Sequence, residues 1–421
     1  MYNKKILKNG VTLLTVPIPN ALSVIMSVFV KAGSRYEEKR VNGISHFLEH
    51  LHFKGTKKFP TAKKLSEVVD SIGGEFNANT GKEHTQYYIR AASEHLNLIA
   101  DVLTDLVQNP LFDEKEIERE KGVIIEEINM YKDNPQIHIE SLFEETMWPK
   151  TPLGWDIAGT ADVIRSIKRA DIIGYRKKWY QPANTIIAVA GNFDQKKLEE
   201  MIENAWGRHS GVKTGSIVPA NDKQSRPFLS VQNKPSEQAH MMVGFKALDY
   251  NSNKNSQLQL LSTVLGGGMS SRLFIQIRER RGLAYYVGSS LNNYLDSGNF
   301  YVRAGLKVGS APEALELILS ELKKICDQPV APKELKKAKE YVKGKTVLAM
   351  EDSHGTLDWY LTQIAFMKKT ESPKEAFAKL DKVTAEEIQA LARQLFVGKT
   401  LTASVIGPFA DKSVFEKKLH I

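Results

Sequence analysis

The sequence predicts an α+β protein of two homologous domains, each a largely antiparallel sheet with helices packed on one face. Three observations carry this expectation. First, the chain repeats itself at close to half its length of 421 residues. Tyr87-Tyr88-Ile89-Arg90-Ala91 returns 213 residues later as Phe300-Tyr301-Val302-Arg303-Ala304, and Gln108-Asn109-Pro110 returns 219 later as Asp327-Gln328-Pro329. Ala190-Gly191-Asn192-Phe193 returns 216 later as Ile406-Gly407-Pro408-Phe409. A period this long means two copies of a domain, not a solenoid of short repeats. Second, runs with strand character are separated by several helical runs at a time rather than by single crossover helices. Third, residues 209–224 (HSGVKTGSIVPANDKQ) are rich in Gly, Ser, Pro and Asn and poor in apolar side chains, as a linker is. The expected organisation is therefore 1–208, a linker at 209–224, and 225–421.

The elements follow in order. Leu22 to Val30 is apolar and β-branched, as a buried strand requires, and Thr185 to Val189 reads as a later strand of the same sheet. Ala239 to Phe245 and Leu401 to Ile406 play the same parts in the second copy. Lys63 to Ile72, His95 to Gln108, Glu114 to Tyr131, Ala311 to Cys326 and Pro332 to Met350 carry apolar residues at spacings of three and four, the period of a helix with one buried face.

Composition excludes several classes. With 42% hydrophobic and 25% charged residues the chain is neither disordered nor fibrous. One cysteine, Cys326, allows neither an internal disulfide nor a cysteine-rich zinc site. The opening MYNKKILKNGVTLL lacks an apolar signal run, and no stretch reaches the length of a membrane span, so a soluble, unprocessed cytoplasmic protein is expected. The net charge of +9 is spread along the chain, which excludes a nucleic-acid-binding face and predicts no membrane partner.

Chemistry concentrates at GISHFLEHL, residues 43–51, where His46-Phe47-Leu48-Glu49-His50 spells HxxEH. On a helix, positions i and i+4 share a face, so both imidazoles can hold one metal ion with Glu49 beside them as a base. The order inverts HExxH and is the inverzincin signature. A catalytic zinc takes a third protein ligand and keeps a fourth position open. The helix after Glu114 offers one: Glu120 and Glu127, seven residues apart, project from one face, and Glu126 points elsewhere.

Together, HFLEH, FNANTGKEHTQYY and EREKGVIIEEI resemble the pitrilysin family of inverted zinc metallopeptidases, in the two-domain class similar to mitochondrial processing peptidase and bacterial processing-protease-like peptidases. The resemblance spans the chain and implies a zinc-dependent endopeptidase acting on unfolded peptides or presequence-like segments. The family's third ligand follows the second histidine after about 76 residues, the number between His50 and Glu127, which implies His46, His50 and Glu127 as the metal ligands and Glu120 as their outer support. It implies Glu49 as the group that takes a proton from the attacking water and returns it to the leaving amine. Asn77 and Ala78 match the edge strand along which the family lays an extended substrate. Arg278 and Tyr285 match its carbonyl-holding pair. Gly268 to Leu273 stands where Gly43 to Leu48 stood, so the second copy lacks the metal motif. Four-domain relatives close a chamber, so a two-domain chain implies a homodimer whose active sites are completed by the partner chain. The same fold also serves non-catalytic core subunits and obligate heterodimers. The intact motif and the retained Arg/Tyr pair favour the catalytic homodimer.

Overall fold

The structure, a computed structural model, describes residues 2–208, 211, 215–220 and 223–421. Residues 209, 210, 212–214, 221 and 222 of the expected linker lie outside the described residues. Eleven strands form two sheets among the described residues. They are β1 (Asn3–Ile6), β2 (Thr12–Pro17), β3 (Ser23–Val30), β4 (Glu75–Thr80), β5 (Thr85–Ala92), β6 (Thr185–Gly191), β7 (Phe228–Asn233), β8 (Gln238–Lys246), β9 (Ala284–Asn293), β10 (Gly298–Lys307) and β11 (Leu401–Gly407).

The first sheet runs β1-β2-β6-β3-β5-β4 and the second β7-β11-β8-β10-β9. Without β1 the two orders are the same, and each sheet is antiparallel except for one parallel pair, β2 with β6 and β7 with β11. The repeat visible in the sequence falls on equivalent elements. Tyr87 to Ala91 lie on β5 and Phe300 to Ala304 on β10, and Gln108 and Asp327 each close the helix that follows.

Period-two alternation sorts the strands. Val24, Met26 and Val28 of β3 and Tyr87, Ile89 and Ala91 of β5 point into a core with the helix Leu96–Gln108. In the second unit Met241, Val243 and Phe245 of β8 and Phe300, Val302 and Ala304 of β10 do the same with the helix Ala311–Asp327.

The compact units are not the two halves of the chain. The first is Met1–Asn129, Trp155–Val218 and Ala349–Ala365; the second is Met130–Gly154, Pro219–Leu348 and Phe366–Ile421. Each half gives one helix to the other unit. Pro135–Met147 covers the far face of the second sheet, burying Ile139, Phe143 and Met147 with Met242 and Ile406. Ser353–Phe366 meets the far face of the first sheet, with the His354 ring 4.7 Å from Tyr88. Each sheet thus carries its main helical layer on one face and a single helix on the other. Among the described residues no helix is long and apolar enough to cross a membrane.

Element order also corrects one correspondence. In the first unit the metal-motif helix, Ile44–His52, directly follows β3; the helix directly following β8 is Asn255–Gly266. That helix, NSQLQLLSTVLG, is the counterpart of the motif, and Gly268 to Leu273 belongs to the next segment. The second copy lacks the metal motif either way, since Asn255–Gly266 contains no His or Glu.

Candidate active site

The helix Ile44–His52 is apolar on one side and reactive on the other. Ile44, Phe47, Leu48 and Leu51 are buried in a cluster with Val30, Ile124 and Ile128, which leaves His46, Glu49 and His50 on a shared face. Ile124 and Ile128 come from the helix Glu114–Asp133, so the apolar cluster that seats one helix also docks the other. That packing brings Glu120 and Glu127 to the histidines.

The helix begins at Gly43, with φ of 99° and the Ala158 carbonyl oxygen 2.5 Å from where a Cβ would sit. Gly43 offers no side chain to cap the helix, and Glu37 supplies the acceptor instead. Its carboxylate accepts from the Gly43 and Ser45 N–H groups at 2.7 and 2.8 Å and from Asn42 Nδ2 at 2.9 Å. A negative group here suits the helix dipole. Burial pushes the Glu37 carboxyl up to about 7 against the pull of these donors.

Three ligand atoms converge. His46 Nε2 and His50 Nε2 are 3.2 Å apart, and Glu127 Oε2 lies 3.7 Å from the first and 3.5 Å from the second. Ligands held at about 2.0–2.2 Å by one tetrahedral ion are separated by about 3.3–3.6 Å, so this spacing and the two-imidazole, one-carboxylate donor set fit zinc. Glu126 is exposed and Glu127 half-buried, so the helix presents only the second of these neighbours.

Glu120 orients the His50 ring. It is buried, 2% exposed, and His50 Nδ1 donates to its Oε1 at 2.8 Å. An ionised carboxylate has no proton to give, so the His50 proton sits on Nδ1 and the Nε2 lone pair faces the ion's position. Burial lowers the His50 pKa, but the hydrogen bond to Glu120 and the charge of Glu127 outweigh it and leave the ring more basic than usual. Burial, with the neighbouring His50, pushes His46 down to about 4. Burial also raises the Glu49 carboxyl, which the Thr80 hydroxyl opposes by donating to Glu49 Oε2.

Asn77 and Ala78 lie on β4, the last strand of the first sheet. The Ala78 N–H donates to Asn77 Oδ1 at 2.8 Å. Arg278 and Tyr285 belong to the second unit. Arg278 is exposed, its guanidinium 5.0 Å over the Phe274 ring, and Tyr285 is half-exposed on β9, the last strand of the second sheet. His52, two residues past His50, is fully buried: its ring bonds the Leu48 carbonyl at 2.7 Å and the Tyr87 hydroxyl at 3.1 Å.

Thr80, Lys54 and Glu37 were not evident from the motifs. Thr80 shares a strand face with Phe76 and Ala78, and Lys54 follows His50 by four residues, so period two and period four were the available signals. Glu37 had no periodic signal.

Residues 13–161 match the family described as Insulinase (Peptidase family M16), and residues 166–342 match the Peptidase M16 inactive domain. A protein of Rickettsia bellii named as an uncharacterized zinc protease is 37% identical over 411 residues, covering 97% of this chain and 98% of that one. A Bacillus subtilis protein named in the same way is 35% identical over 400 residues, covering 94% and 96%. The fold is that of a Helicobacter pylori protease of known crystal structure, with a TM-score of 0.91, 24% identity, and coverage of 97% and 100%. Extensive identity to these relatives over nearly full length, with both family domains in order, means that the chain belongs to peptidase family M16.

Proposed function

We propose that the chain is a zinc-dependent endopeptidase that hydrolyses unfolded peptides or presequence-like segments inside a chamber formed by a cytoplasmic homodimer. The observation that carries the reading is the convergence of His46, His50 and Glu127 on one point, with the Glu49 carboxylate on the same helix. Zinc held there would polarise the scissile carbonyl. Glu49 accepts the proton of the attacking water as its oxygen adds to the carbonyl carbon, then delivers it to the departing nitrogen as the C–N bond breaks. β4 offers an open sheet edge to an extended peptide, and the Asn77 side chain occupies the Ala78 N–H until a substrate carbonyl replaces it. Arg278 and Tyr285 of the partner chain donate to the developing oxyanion.

The test is digestion of an unfolded peptide library by the zinc-loaded chain, with cleavage sites mapped by mass spectrometry. Internal cuts that stop on chelation are expected. Trimming from chain ends only, or cleavage indifferent to a chelator, would overturn the reading.

A further inference from the structure

We infer that Lys54 is a positioning residue for the metal centre, acting through Glu120. The inference rests on the metallopeptidase reading above. Glu120 is 2% exposed and uses both oxygens: Oε1 accepts from His50 Nδ1 at 2.8 Å and Oε2 from Lys54 Nζ at 2.6 Å. A buried carboxylate is costly unless paired and hydrogen-bonded, and the Lys54 ammonium is its charge partner on this side. An exposed lysine pair contributes little, but here one partner is inside the protein. The geometric consequence is larger than the energetic one. With Oε2 fixed, the carboxylate cannot turn away from His50, so the imidazole keeps its Nδ1 proton and its orientation.

Lys54 is itself held in place. It follows directly on the last turn of the metal helix, its N–H bonded to the Leu51 carbonyl at 3.2 Å. The next residues are tied to the segment leading into the helix of Glu120: Lys57 N–H donates to the Asn109 carbonyl at 3.1 Å and Leu111 N–H to the Gly55 carbonyl at 3.0 Å. Thr56 also bridges Pro110. The backbone therefore ties the segment carrying Lys54 to the segment leading into the helix of Glu120.

The test compares zinc affinity, measured by competition with a chromophoric chelator at one fixed pH, in wild type, Lys54→Met, Lys54→Arg, Glu120→Gln and the Lys54→Met/Glu120→Gln double variant. The melting temperature of each metal-free protein is measured alongside. Losing an outer partner typically weakens binding about 10–100-fold, and Lys54→Met should fall in that range. Lys54→Arg, which keeps the cation, should bind more tightly than Lys54→Met. In the Glu120→Gln background Lys54→Met should add nothing, because the group it acts through is gone. Wild-type affinity in Lys54→Met, or losses that multiply in the double variant, would overturn the inference. So would Lys54→Arg binding as weakly as Lys54→Met. Should Lys54→Met fail to fold, Lys54→Gln takes its place under the same requirements. Failure of the wild type to bind zinc would instead overturn the metallopeptidase reading.

Discussion

Glu126 and Glu127 are chain neighbours on one helix, about 100° apart around its axis. Only Glu127 has an oxygen within 3.5 and 3.7 Å of the two imidazole nitrogens, while Glu126 is exposed. Glu127→Gln should therefore weaken zinc binding by more than the about 10–100-fold of an outer partner, and Glu126→Gln should leave it unchanged. Chelator competition on the two variants checks this; equal losses would move the ligand by one position. The histidines were legible because both lie within one helical turn; a two-turn spacing put Glu120 and Glu127 on one face, and the resemblance's spacing from His50 singled out Glu127. Thr80 and Lys54 were not, because each acts on a partner distant in the chain, and only folding brings Thr80 to Glu49.

At the scale of elements, the metal helix depends on groups that do no chemistry. Replacing Glu37 by Gln substitutes an amide for a carboxylate that accepts three hydrogen bonds in a buried site, and leaving such donors poorly satisfied costs about 1–3 kcal/mol. Urea unfolding of metal-free Glu37→Gln should show that loss.

Two buried titratable groups of this region, Glu37 and His52, act in opposite senses. Glu37 is raised to about 7, so its contribution is present below the ordinary carboxylate value and lost as pH rises through 7. His52 is lowered to about 3 by burial, with the Arg176 charge adding to it, so its contribution is present above 6.5 and lost as pH falls. The clean readout is a difference: the stability gap between wild type and His52→Gln should shrink by about 1.5 kcal/mol from pH 6.5 to pH 5. A gap that does not change with pH would contradict a His52 kept neutral. Strands and helices were legible from periodicity, since each buries one face. The exchange of Pro135–Met147 and Ser353–Phe366 was not, because periodicity shows that a helix has a buried face without showing which sheet lies beneath it.

At the scale of the molecule, two sheets of the same order end in two edge strands, β4 beside the metal helix and β9 bearing Tyr285. If the proposed chamber reads its substrates as added strands, it should cut flexible peptides and spare stable folded proteins, and a time course on one protein in its native and unfolded forms distinguishes them. Rapid digestion of the native form would contradict it. If Arg278 and Tyr285 act on the partner's metal site, mixing Glu49→Gln with Tyr285→Phe gives mixed dimers with one intact site each. Random exchange then restores about a quarter of all sites, because about half the dimers are mixed; action within one chain restores none. The repeat made the duplicated architecture legible, whereas assembly is a property of surfaces that no periodicity records. Whatever the assembly, the proposed hydrolysis turns on Glu49 moving a proton beside an ion it does not hold. Zinc content and peptide hydrolysis measured together on Glu49→Gln test this most directly. Zinc at the wild-type level with hydrolysis abolished is the predicted result, and loss of the zinc or undiminished hydrolysis would contradict it.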